Sequence, residues 1–170
     1  METFRNGDIG LTRIKEGSFV RMLIDFVHIV FGYPRLRWLH AYLIYQDAGQ
    51  WMIVEADVPA VGTRPLTQRT IDSSDFFRVP SASEQQRQGA IDWALAQKGT
   101  SYGYWTCVLI LIDQILNLLL GRKWARAQDL ICTELTVTAY RQQQIDLLPG
   151  VRADRVLPDM IGDSALVEPL

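Results

Sequence analysis

Two closely spaced apolar runs constrain this chain most: Trp38-Leu39-His40-Ala41-Tyr42-Leu43-Ile44-Tyr45 and Trp51-Met52-Ile53-Val54-Glu55-Ala56. Both are rich in aromatic and aliphatic residues, and Asp47-Ala48-Gly49 between them is a turn signal, so they predict a β-hairpin of 38–46 and 51–56. Each run holds one ionisable residue, His40 or Glu55, which is costly in core material unless it has a partner or a task. Side chains alternate faces along a strand, so the two share a face only in certain registers. A four-residue connection, Gln46 to Gly49, sets His40 directly opposite Glu55. A two-residue connection, Ala48-Gly49, makes them diagonal neighbours on one face, and a three-residue connection puts them on opposite faces. The sequence leaves the register open.

Around this hairpin the pattern is that of an α+β chain, an antiparallel sheet packed against helices. Asp8 to Thr12 reads as a first strand. Phe19, Met22, Leu23, Phe26, Val27 and Val30 follow a helical period over 18–31, with Ser18 as N-cap and Gly32-Tyr33-Pro34 as the stop. Val58 to Thr70 reads as loop with at most a short strand, and Asp75 to Val79 as a strand closed by Pro80. Ser83-Glu84-Gln85-Gln86 is close to a capping box for a helix whose face is Ile91, Ala94 and Leu95. A further helix is expected from about Leu130 to Gln143, and Val156 to Met160 as a brief strand and a helical turn. At 170 residues the chain has the length of one domain, expected over 1–170.

Composition excludes several classes. A formal charge of −2 supplies no basic field for nucleic acid. Two cysteines make no disulfide framework and no zinc-ligand spacing, so neither a metal nor a cofactor is expected. Met1 to Asp8 lacks a signal-peptide pattern, from which a cytoplasmic location is expected, with export by another route or inclusion in a larger particle left open. The stretch Tyr104 to Leu120 is about the length of the shortest membrane spans, but Asp113, Gln114 and Asn117 interrupt its centre. It is read as a buried or surface-docked helix, with membrane contact through it and the Arg122-Lys123-Trp124 corner as the alternative.

Cys132 is the third residue of interest. Just after Asp129, a plausible N-cap, it falls in the first turn of a helix, where free amides and the helix dipole favour a thiolate. An imidazole and a carboxylate complete the parts of a nucleophilic cysteine site, and the same amides could hold an oxyanion. Cys107, inside a continuous apolar stretch, reads as inert packing. His28 reads as a structural helical histidine, and Glu134, two positions after Cys132, points away from its sulfur. Asp72 and Asp75 lack metal-ligand spacing.

These residues carry a family resemblance. Gly7-Asp8-Ile9, then a histidine opening a strand, then Val54-Glu55-Ala56, then Ile131-Cys132-Thr133-Glu134-Leu135, resemble the permuted NlpC/P60 papain-like families. Those are the YiiX/YebB-like proteins and, more distantly, the lecithin:retinol acyltransferase group. Tyr102-Gly103-Tyr104 and Leu157-Pro158-Asp159-Met160 are similar to the family's aromatic segment and closing Pro-Asp stretch. Leu39 stands where the family often has Ser, Gly103 where it often has an acidic residue, and 18–31 looks like a helical insertion. The resemblance implies a circularly permuted papain-like fold, with Cys132 as nucleophile, His40 as general base and acid, and Glu55 orienting His40. Tyr102 or Tyr104 is the candidate for an oxyanion or cleft contact. It also implies a cysteine peptidase or amidase, acting on an amide bond in a cell-wall-type peptide or peptidoglycan fragment. Two alternatives use the same residues: a thiol-dependent acyltransferase or lipase, and a non-catalytic binding or assembly module within a larger protein assembly.

Overall fold

The computed structural model describes residues 4–17, 36–101 and 132–170. The expected helix over 18–31, His28, Tyr102, Tyr104, Cys107, the apolar stretch 104–120, the 121–124 corner and Asp129 lie outside the described residues. Among the described residues the fold is α+β, a six-stranded antiparallel sheet with four α-helices. The strands are β1 (Ile9–Arg13), β2 (Trp38–Asp47), β3 (Gln50–Ala56), β4 (Val61–Pro65), β5 (Ser74–Arg78) and β6 (Glu168–Pro169), in sheet order β4-β3-β2-β1-β5-β6. The helices are α1 (Gln68–Asp72), α2 (Glu84–Ala96), α3 (Cys132–Arg141) and α4 (Pro158–Gly162). No described helix is long and apolar enough to cross a membrane.

The β2–β3 hairpin turns through Ala48 and Gly49, with Asp47 paired to Gln50. Both loop residues have positive φ, +46° and +83°, the backbone that lets a two-residue turn follow the strand twist. Of the two connections that keep His40 and Glu55 on one face, the shorter is the one adopted. The sheet then has two differently clad faces. Ile9, Leu11, Ala41, Leu43, Tyr45, Val54 and Ala56 pack against Ala90, Ile91 and Ala94 of α2 and Leu135, Val137, Ala139 and Tyr140 of α3. On the opposite face Tyr42, Ile44 and Ile53 form a smaller cluster with Phe4, Trp51, Leu66 and Phe76. Gly10 is required there, because a Cβ would sit 2.1 Å from the Tyr42 ring.

Local chemistry explains the element ends. The Ser83 hydroxyl accepts from the Gln86 amide while the Gln86 side chain accepts from the Ser83 amide, a complete capping box for α2. Two expectations need adjustment. The span from Val58 to Thr70, expected as loop with at most a short strand, holds the short strand β4 and also the start of α1, capped by Thr67. Val156-Leu157 is no strand: a 3-10 turn, Ala153–Arg155, precedes it and α4 follows directly, with Pro158 at its N-terminal position. The last strand is β6, which pairs with Phe77 and Arg78 of β5.

The sequence motifs at the two ends of the chain act as clamps. Asp8 is fully buried, and its carboxylate accepts from Arg78 at 2.8 and 2.7 Å, a two-pronged ion pair tying the start of β1 to β5. Asp159 in α4 accepts from the Arg37 amide at 2.9 Å and the Trp38 amide at 3.4 Å, holding down the start of β2. Gly162 lets α4 lie against the Trp38 ring, 2.5 Å from where a Cβ would stand.

Candidate active site

The strand pair sets the first half of the site. Leu43 pairs with Val54, a register that leaves His40 and Glu55 as diagonal neighbours on the face opposite α2 and α3. His40 Nε2 and Glu55 Oε2 are 2.9 Å apart. A histidine on one face must still be reached by a helix packed on the other, and the ladder shows how. Pairing between β2 and β3 runs from Asp47–Gln50 to Leu43–Val54; beyond it, Ala41 and His40 pair with β1, and Glu55 and Ala56 with β4. The two central strands part at this end of the sheet, where the first residue of α3 meets β2.

That residue is Cys132, whose thiol is hydrogen-bonded to the His40 imidazole. Burial pushes the Cys132 thiol up, but the His40 hydrogen bond and charge, with the Ala41 and Thr133 backbone amides, bring it below the ordinary thiol value. Burial opposes charging of His40 in turn, and is outweighed by Cys132 and Glu55, which push it up to about 10. Each group thus favours the charged form of the other, thiolate beside imidazolium.

Glu55 is held by a residue that sequence reasoning missed. Arg64 on β4 donates from Nε to Glu55 Oε1 at 2.5 Å and from Nη2 to Oε2 at 3.3 Å. Its Nη1 donates to Thr70 Oγ1 at 3.1 Å, and Thr70 Oγ1 lies 3.0 Å from the Thr67 hydroxyl. Burial pushes the Glu55 carboxyl up, yet hydrogen bonds from His40 and Arg64 and their charges hold it below the usual carboxylate value. The sequence signal for Arg64 is slight: a basic residue in a stretch that reads as loop with at most a short strand. Cys132 is 6% exposed and the Glu55 side chain 7%, so the site meets solvent through the His40 ring, at 19%, and through Arg64 behind it, at 45%.

Other candidates have structural partners. Asp75 accepts from Arg13 at 2.6 Å and from the Trp38 indole at 2.7 Å, and Asp72 accepts from the Gln68 side chain. Thr133 donates to the Val156 carbonyl at 2.7 Å and Thr136 to the Cys132 carbonyl at 3.1 Å, which anchors the first turn of α3.

No protein-family model matches the sequence, and no curated protein does. Among solved structures, the fold resembles the crystal structure of the metalloprotein yiiX from Escherichia coli O157:H7, a DUF1105 protein. The TM-score is 0.65 at 14% identity, covering 98% of this chain and 96% of that one, a likeness of fold. Among the described residues, no group of three or more His, Cys, Asp and Glu side chains is arranged to hold a metal ion. The Glu55 carboxylate already serves His40 and the Arg64 guanidinium, whose positive charge disfavours a cation there.

Proposed function

We propose that this protein is a thiol hydrolase of papain-like chemistry, cleaving an amide bond in a small peptide of the cell-wall stem class. The observation that carries the reading is the continuous hydrogen-bonded array Cys132–His40–Glu55 at the start of α3. The order of the parts, histidine strand before cysteine helix, and the likeness to yiiX support a permuted papain-like fold.

The Cys132 thiolate attacks the amide carbonyl, and backbone N–H groups of the first α3 turn hold the resulting oxyanion. As the C–N bond breaks, the His40 imidazolium gives its proton to the departing amine, leaving a thioester on Cys132. His40, now neutral, takes a proton from water as that water attacks the thioester. The C–S bond breaks, the acid product leaves, and the thiolate–imidazolium pair is restored. Glu55 stays ionised throughout and holds the ring in place.

A digest of peptidoglycan fragments tests this reading by mass spectrometry of the released peptides. Cys132→Ala and His40→Ala are expected to lower cleavage by about a thousandfold or more. Equal cleavage by Cys132→Ala, or Cys132 alkylation no faster than that of a model thiol, would refute it. A second reading, acyl transfer or lipid hydrolysis by the same residues, is supported by Leu39, 53% exposed beside His40, and Val58, 57% exposed just past β3. Acylation of Cys132 by phospholipid vesicles but not by peptides would favour that reading.

A further inference from the structure

Four ionisable groups stand in line at this site, each beside one whose charge favours its own ionised form: the Cys132 thiol, the His40 imidazole, the Glu55 carboxylate and the Arg64 guanidinium. A carboxylate alone behind the ring would leave a buried array with one excess negative charge. Arg64 cancels that excess, and its geometry is specific. It grips both Glu55 oxygens, and its third contact, Thr70 Oγ1, is itself fixed at the N-terminus of α1 by Thr67. A planar guanidinium can meet a carboxylate at two points while reaching a hydroxyl on its far side; an ammonium cannot. Glu55 is thereby fixed in angle as well as in charge.

We propose that Arg64 is a positioning residue of the site, locking Glu55 ionised and aimed at His40 Nε2, with Thr70 as its outer anchor. The proposal rests on the thiol reading above and assigns Arg64 no contact with substrate. Its electrostatic consequence has a definite sign. Removing a nearby positive charge raises the pKa of every neighbouring group, so loss of Arg64 moves formation of the thiolate and deprotonation of the imidazolium upward together. The groups facing Glu55 and Arg64 are His40 and the Tyr42 phenol from β2 and the uncharged Thr70 from α1; Cys132 of α3 stands one group further along, against His40. The phenol, pushed up to about 12 by burial, stays neutral across the useful range.

The experiment is the alkylation rate of Cys132 by iodoacetamide from acid to alkaline pH, resolved from Cys107 by peptide mass spectrometry. The native protein is expected to show two inflections, one for the thiolate and one for the imidazolium. Arg64→Gln should move both upward by about one pH unit, and Arg64→Lys should return them most of the way. A two-step native profile that Arg64→Gln leaves in place overturns the proposal and leaves the thiol reading standing. A native profile with one inflection at the ordinary thiol value sinks the thiol reading and this proposal with it. If Arg64→Gln does not fold, Thr70→Val decides: a smaller shift in the same direction supports the role, and no shift removes it.

Discussion

At the scale of single residues, the site works by setting burial against charge. Cys132, His40 and Glu55 are each pulled by burial toward the neutral form, and each is drawn back toward its charged form by the group next in line. This has a cost in pH range. His40 is raised on folding from 6.5 to about 10, so its contribution to stability is fully present below 6.5 and is lost as pH rises through 10. Glu55 is lowered from 4.5, so its contribution is present above 4.5 and is lost as pH falls through its lower folded value. Cys132 is lowered on folding from 9.0, so its contribution grows as pH rises toward 9.0 and offsets the loss from His40 over that range. The melting temperature should therefore hold from neutral pH to about 9 and fall toward pH 10, as a calorimetric pH series would measure; a steady fall from neutral pH would mean that Cys132 is a thiol in the native protein. His40, Glu55 and Cys132 were legible in the sequence because each is an ionisable or nucleophilic group in apolar or helix-starting surroundings. Arg64 was not, since arginine in a polar stretch is unremarkable until its neighbour across the sheet is known.

At the scale of elements, the hairpin turn decides whether the site exists. Ala48 occupies a left-handed conformation, φ +46°, that asparagine or glycine adopts more readily. Ala48→Asn should stabilise the protein by about 0.5–1 kcal/mol in urea unfolding, with the slope unchanged and Cys132 alkylation unaltered. A loss of stability would argue against the two-residue turn. Both apolar runs and the turn between them could be read from composition, as could the capping box at Ser83. The register could not, because two loop lengths satisfy the same pattern of faces. The match of the two-residue turn, with its two positive-φ residues, to the strand twist selects between them. The short helix α1 escaped notice because it is five residues long, too short for a period to show.

At the scale of the whole molecule, residues far apart in sequence fix the strand that bears the histidine. Asp159, near the end of the chain, holds the amides of Arg37 and Trp38, and its Oδ1 also accepts from the Arg37 side chain at 3.1 Å. Asp159→Ala should cost about 1–3 kcal/mol and slow Cys132 alkylation by releasing the start of β2 beside His40. Chemical denaturation paired with the labelling rate checks both; a stability loss without a change in labelling would separate α4 from the site. The sequence by itself determined the α+β character, the hairpin, the α2 cap and the three residue types of the site, because periodicity, turn chemistry and misplaced charge are local properties. Only the tertiary structure decided that the central strands part where α3 begins, that Cys132 reaches His40 there, and that Arg64 stands behind Glu55. Those relations join positions distant in the chain, and contacts of that kind follow from how faces pack rather than from any neighbouring residues.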